Sequence, residues 1–294
     1  MSNLTLSFAS VISRILIALI LVYGGACWFL YQRQAQFIFF PSPTLETTPA
    51  VHGLPYEDVW IPVTSEESQT ERIHGWWLPS LQDDAPVMLY LHGNGGNVGA
   101  NLSKAAWLNQ IGFTVLMIDY RGYGLSDGEF PNESQVYEDA EAAWNHLTHT
   151  QNIPANRVVV FGHSLGSAIA IELATRHPDM RGLILEGTFT SILEMTNRTK
   201  SFGIFPIDRI LTQRFDSLSK VRSLTMPVLY VHGTEDTVVP FDMSQTLYEA
   251  TQAPKDLLFV PGADHEDVAG VGEDLYRSAL RRFLQKTEDA FTPG

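Results

Sequence analysis

The chain has 294 residues, 45% of them hydrophobic, with 33 acidic against 19 basic side chains and a formal net charge of -14. That length holds one sizeable hydrophobic core, and the scattered Lys and Arg offer no positive face to displace counterions, which argues against a nucleic-acid partner. The single cysteine, Cys27, rules out an intramolecular disulfide and any cysteine-based zinc site. Nine histidines leave a His/carboxylate site open by count, but no H-E-x-x-H occurs and neither a metal nor another cofactor is expected.

Residues 15–30 carry no charge. A bilayer crossing takes about 20 apolar residues, and residues 11–31 supply that with Arg14 near one end, where it can snorkel. Trp28, Tyr31, Phe37, Phe39 and Phe40 suit a membrane–water interface. The reading is one spanning helix that stays attached. A cleaved signal fits less well, because Trp28-Phe29-Leu30 follow Gly24-Gly25-Ala26 where a polar mature start is expected. Lipid processing at Cys27 lacks its aliphatic residue three positions earlier, and a buried helix of a soluble fold is the remaining alternative. Arg14 and Arg33 flank the span evenly, so charge assigns no orientation.

Residues 32–36 continue the helix for about a turn, and Pro41, Pro43 and Pro49 then end regular structure. Residues 1–50 are thus an anchor and short tether, and 51–294 the main domain. Stretches 58–63 and 72–78 read as an edge hairpin around the polar run 64–71. Nearly continuous apolar runs at 86–91, 114–118, 158–161, 183–185, 228–231 and 257–260 read as strands covered on both faces. Helical stretches at 102–110, 133–148, 165–176, 243–250 and 273–286 separate them. Repeated βα units give an α/β fold, a mostly parallel sheet with helices on both faces and ligands at the carboxyl ends of the strands.

Segment 188–227 breaks that rhythm. Phe189, Ile192, Met195, Phe202, Phe205 and Ile207 without strand periodicity suggest short helices above the sheet, a small cap or acyl-binding wall. The bland alternative is a surface excursion with its own apolar cluster.

Gly162-His163-Ser164-Leu165-Gly166 follows a β-branched run and opens a helical stretch. A sharp strand–turn–helix lifts the serine hydroxyl out of the sheet, and the crowding it creates demands glycine two residues to either side. A lone G-x-S-x-G is weak evidence, since a hydroxyl needs a base. Here Asp236 and His265 each lie just beyond a later strand, in the order serine, acid, histidine. His265 would take the Ser164 proton while Asp236 orients the ring. Glu235 remains the alternative acid, and Asp264, Glu266 and Asp267 read as solvated turn residues. The glycine-rich run after the 86–91 strand, His92 to Asn97, offers the backbone N–H of Asn94 as one oxyanion donor; the N–H of Leu165 is the other. His92 and His163 are read as scaffold, and 119–128 as a turn-rich wall whose charged groups bind one another.

These motifs resemble the α/β-hydrolase superfamily, and within it the bud-emergence-type branch of membrane-anchored serine hydrolases. The match runs over 56–284, with LHGNGGN at 91–97, DYRGYGLSDG at 119–128, GHSLG at 162–166, EGTFTSI at 186–192, RFDS at 214–217, HGTEDTVVPF at 232–241 and VPGADHEDV at 260–268. The resemblance implies an eight-stranded, mostly parallel sheet, Ser164, Asp236 and His265 as triad, and action on lipid esters or fatty-acyl thioesters of proteins. Members of the family commonly carry glycine where Asp264 stands. The expected activity is therefore hydrolysis of a carboxylic ester or thioester of an amphipathic acyl substrate beside a lipid bilayer. A serine aminopeptidase and a non-catalytic, membrane-anchored interaction protein are the alternatives.

Overall fold

The computed structural model describes residues 2–64, 70–200 and 202–291. Helix α1 (Ser2–Arg33) is followed by a 3-10 turn, Gln34–Phe37, and the two-residue strand β1 (Phe40–Pro41). Within this segment Ala9–Phe37 is long and apolar enough to cross a bilayer, with mean hydropathy 2.0 and no part of its most apolar window buried inside the fold.

Strands β2 (Glu57–Thr64) and β3 (Thr70–Leu78) form the expected antiparallel hairpin. Residues 65–69, part of the polar run expected between them, lie outside the described residues. The chain continues through β4 (Val87–Leu91), β5 (Gly95–Gly96), α2 (Leu102–Gln110), β6 (Thr114–Ile118), α3 (Glu133–Asn145), β7 (Val158–His163), α4 (Leu165–Arg176) and β8 (Gly182–Glu186). Three short helices follow, α5 (Ile192–Thr199), α6 (Ile207–Ile210) and α7 (Ser217–Lys220). The chain then adds β9 (Val228–Gly233), α8 (Asp242–Ala250), β10 (Lys255–Val260), α9 (Val268–Val271) and α10 (Glu273–Phe291).

Eight strands form one sheet in the order β10-β9-β8-β7-β4-β6-β3-β2. All neighbours are parallel except where β3 meets β2 and β6. The apolar runs are continuous because both faces are covered. In β4, Val87, Leu89 and Leu91 enter one core cluster and Met88 and Tyr90 the other, and β6 and β7 divide the same way. This is the two-residue period of a strand expressed on two buried faces, with α3, α4 and α8 on one side and α2 and α10 on the other. Each fully buried aliphatic side chain contributes roughly 1.5–3 kcal/mol.

Helix ends differ modestly from the expectation. Asn132 caps α3 by accepting the N–H of Gln135, but α3 ends at Asn145 and gives way to a wider π turn, His146–Thr150. Helix α10 runs to Phe291, beyond the expected 286.

The excursion after β8 does form short helices above the carboxyl ends, and it packs against the end of α1. Tyr23 stacks on Phe205 with ring centroids 5.8 Å apart and donates its hydroxyl to the carbonyl of Ile204 at 2.8 Å. Phe37 meets Phe202 edge-on at 5.8 Å. Gln34 Oε1 accepts the backbone N–H groups of Thr212 and Gln213.

Candidate active site

Ser164 sits between β7 and α4 with φ 53° and ψ -119°. A non-glycine residue held there stores about 1–3 kcal/mol of backbone strain, which persists only where packing dictates it. The packing is visible at the flanking glycines. A Cβ on Gly162 would lie 2.4 Å from the carbonyl oxygen of Gly166, and one on Gly166 would lie 2.1 Å from that of Leu91. Strand β7, helix α4 and strand β4 approach too closely for any side chain at either position. The N–H of Ser164 donates to Glu186 O at 2.8 Å, tying the turn to the end of β8.

His265 lies beside this turn. Its ring is 5.0 Å from that of His163, centroid to centroid, and it occupies the space a Cβ on Gly187 would need, 2.9 Å from Cε1. Gly187, at φ 60°, is thus a glycine by necessity, a requirement the sequence reading missed although it lies inside the EGTFTSI motif. His265 Nδ1 is 2.7 Å from Asp236 Oδ2. A carboxylate only accepts, so the proton belongs on Nδ1 and Nε2 is left as the basic nitrogen. Among the described residues the Ser164 hydroxyl has no hydrogen bond to His265; such contacts commonly tighten when substrate binds.

The Asp236 carboxylate is held on four sides. Asp236 Oδ1 accepts the N–H groups of Val238 at 2.8 Å and Val239 at 2.7 Å, while Oδ2 also faces His232 Nε2 at 3.0 Å. Burial pushes this carboxyl up, but the hydrogen bonds from His232 and His265 outweigh it and hold it well below the usual carboxylate range. Glu235 is exposed, and no contact among the described residues joins it to His265. Asp264 does more than line a turn. Its Oδ1 accepts both the N–H of Thr237 and that of His265 at 2.8 Å, clipping the loop after β9 to the loop after β10.

Asn94 and Leu165 line the same cavity as Ser164. Among the described residues neither backbone N–H is used in a hydrogen bond within the fold. The Asn94 loop is stitched in place by its other atoms. Its carbonyl accepts from Phe40 N at 2.8 Å and from the Tyr123 hydroxyl at 2.7 Å, and its side-chain amide donates to Ile38 O at 2.9 Å. Residues after α1 pair with this loop as β1 against β5, so the segment that follows the apolar helix is fixed beside the cavity.

The charged groups of 119–128 do not bind one another as expected. Asp119 accepts the N–H of Val98, Arg121 reaches Asp139, Glu138 and Glu71, and Asp127 pairs with Arg72. A turn-rich segment points its side chains outward from its own bends, so their partners come from other elements. His92 and His163 are buried, as expected of scaffold. Burial first, then the Lys104 and His265 charges, push the His163 imidazole well below its ordinary range, so it is neutral. Behind it Glu186 pairs with Lys104 and accepts the Tyr276 hydroxyl at 2.7 Å, a buried network that sequence spacing did not suggest. Donor atoms of His163, His265 and Glu266 lie within 4.8 Å of one another. With Nδ1 committed to Asp236, Nε2 is the His265 nitrogen such a cluster would use, and it is the same nitrogen that would take a proton from Ser164.

Above Ser164 opens a cavity of about 260 Å³ between the end of α1 and the excursion. Leu30, Phe37, Ile192, Met195, Phe202 and Leu211 are among the apolar residues of its walls, and no charged side chain is among the described residues lining it.

A family model described as serine aminopeptidase, S33 matches residues 82–218. The uncharacterized protein Rv2307c of Mycobacterium tuberculosis is 32% identical over 268 residues, covering 91% of this chain and 92% of that one. The alpha/beta hydrolase domain-containing protein WAV2 of Arabidopsis thaliana is 30% identical over 289 residues, covering 91% and 92%. The chain belongs to the α/β-hydrolase superfamily. Among solved structures, the esterase PF2001 of Pyrococcus furiosus superposes on this hydrolase with a TM-score of 0.68 over 85% of this chain and 98% of its own, at 20% identity, a likeness of fold. By superfamily and by its serine-bearing turn, the protein is classed as a serine hydrolase.

Proposed function

We propose that this hydrolase cleaves a carboxylic ester or thioester of an amphipathic acyl substrate through an acyl-enzyme, while held at a bilayer by α1. In this reading Ser164 Oγ attacks the acyl carbon as its proton passes to His265 Nε2. Asp236 orients the ring and stabilises the imidazolium, and the N–H groups of Asn94 and Leu165 receive the oxyanion. The proton then goes to the departing alcohol or thiol. Water, deprotonated by His265, attacks the acyl-serine, releases the carboxylic acid and restores the hydroxyl. No cofactor takes part.

The observation that carries the substrate class is the uncharged, largely apolar cavity ending at Ser164. An acyl chain is favoured there by about 0.8 kcal/mol per buried methylene. A free α-amine, as an aminopeptidase substrate presents, would meet no carboxylate in the described lining. The GHSLG, HGTEDTVVPF and VPGADHEDV motifs and the N-terminal helix support a reading in the bud-emergence-type branch.

The test is fluorophosphonate labelling with Ser164→Ala beside the wild type. Labelling should map to Ser164 and vanish in the variant, with ester turnover falling at least about a thousandfold. Undiminished labelling of the variant at the site would sink the assignment. Faster turnover of amino-acid anilides than of medium-chain acyl esters would favour the peptidase.

A further inference from the structure

Helix α1 is more than a tether. Leu30 from its last turn, then Gln34, Phe37 and Ile38 from the following turn, form one side of the cavity that ends at Ser164. The opposite side comes from the excursion, whose Phe202–Phe205 loop lies back along the helix as far as Tyr23. Tyr23 is ten residues before Arg33, so at 1.5 Å per residue the loop reaches about 15 Å down the helix axis. Its Ile204, 76% exposed, lies beside Tyr23, and Trp28, five residues on along the helix, is 63% exposed. Phe29 and Phe37 are also exposed here. A contiguous apolar, aromatic-rich surface around a candidate membrane helix is matched by lipid.

Gln34 keeps the two sides together. Its carbonyl oxygen takes the N–H groups of Thr212 and Gln213, and its amide donates to the carbonyls of Tyr31 and Ile210. Both ends of that side chain are committed to the fold, so the helix and the excursion meet in a defined geometry, leaving the apolar residues to contact the ligand.

We propose that the end of α1 and the Phe202–Phe205 loop form a portal immersed in the membrane, through which the acyl tail of a bilayer lipid ester passes to Ser164, with Leu30 and Phe37 setting the tail accepted. The inference rests on the hydrolase reading above and names the route and the selecting residues. A tail that crossed water instead would expose each methylene at about 0.8 kcal/mol, so a mouth at bilayer level removes the main obstacle to reaching a surface enzyme. The described lining carries no charged side chain to hold a peptide beside an acylated cysteine, which favours a lipid over an acylated protein.

The test uses the full chain in phosphatidylcholine nanodiscs with p-nitrophenyl esters from acetate to palmitate, a long-chain monoacylglycerol and an S-palmitoyl peptide. Leu30→Trp, which fills the portal, should lower the palmitate-to-acetate ratio of kcat/KM about tenfold or more. Phe37→Ala, which widens it, should shift the preferred tail to a longer or bulkier one. Ile17→Trp, on the same helix but outside the cavity, should leave the ratio at the wild-type value. Unchanged ratios in both portal variants, at wild-type Tm, would overturn the proposal. So would faster cleavage of the S-palmitoyl peptide than of the monoacylglycerol. If the wild type neither turns over any ester nor labels at Ser164, the hydrolase reading itself fails; labelling with an unmoved chain-length profile defeats only the portal.

Discussion

His232 Nε2 stands 3.0 Å from Asp236 Oδ2, the same carboxylate oxygen that meets His265 Nδ1 at 2.7 Å. The ring of His232 is fixed on its far side, where Nδ1 lies 2.6 Å from Ser244 Oγ, and Nε2 also reaches Val239 O at 2.9 Å. A carbonyl only accepts, so Nε2 carries the proton and Nδ1 accepts from the serine hydroxyl. Two imidazoles thus share one carboxylate oxygen, His232 held on its far side by the fold and His265 beside the Ser164 turn.

That arrangement makes His232 a positioning residue. His232→Ala removes a donor from Asp236, leaving the carboxylate more basic and better able to stabilise the His265 imidazolium. The acid limb of the kcat/KM profile should move to higher pH, with kcat down about ten- to a hundredfold. A role limited to packing would lower Tm and leave the limb where it was.

Asp236→Asn should cost about 10⁴ in kcat by favouring the wrong tautomer of His265. It also has a signature in stability. The native carboxyl is held below its ordinary value, so its contribution is fully present above the unfolded value of about 3.9 and is lost as pH falls through the native one. Melting curves of wild type and variant should therefore converge below about pH 4. Parallel acid slopes would show that the hydrogen bonds to Asp236 stabilise nothing.

Asp264→Gly installs the residue common in the resembled family and removes the clip between Thr237 N and His265 N. Asp264 lines no part of the cavity. The expected result is a fall of about three- to tenfold in kcat with KM nearly constant, because misplacement of the base affects chemistry more than binding. Steady-state kinetics on one ester decides it, and a change confined to KM would speak for substrate contact instead.

Lys104→Met should be among the most destabilising substitutions outside the apolar core. Glu186 is fully buried and Lys104 is its only cationic partner among the described ion pairs within hydrogen-bonding range. Leaving that carboxylate unpaired costs about 3–5 kcal/mol. Adding Glu186→Gln should recover part of the loss in denaturant titrations, and equal stability of single and double variants would contradict the pairing.

Contiguous residues determined a good deal here. Strands β4, β6 and β7 were legible because a run such as Val87 to Leu91 buries alternate side chains on two covered faces, a pattern complete within five residues. The Ser164 turn was legible because its steric demand falls on Gly162 and Gly166, two positions away on either side. The order of Ser164, Asp236 and His265 followed from their places just beyond three different strands, β7, β9 and β10.

Relations between distant residues belonged to the tertiary structure alone. Sequence spacing left Asp236 and Glu235 as alternatives, because adjacent loop residues differ only in where the backbone turns them; the fold sets Asp236 Oδ2 on His265 and leaves Glu235 exposed. Pro41 and Pro43 announced the end of the helix, yet nothing local told that Phe40–Pro41 would pair with Gly95–Gly96 beside Asn94. Lys104, Glu186 and Tyr276 come from α2, β8 and α10, and Leu30 meets Met195 across a cavity between segments far apart in the chain. Hydrophobic periodicity is written into neighbouring residues and needs only the local backbone to be read. A shared proton, a buried ion pair or a cavity wall exists only after the chain has closed on itself, since its free energy belongs to groups that the unfolded chain keeps apart.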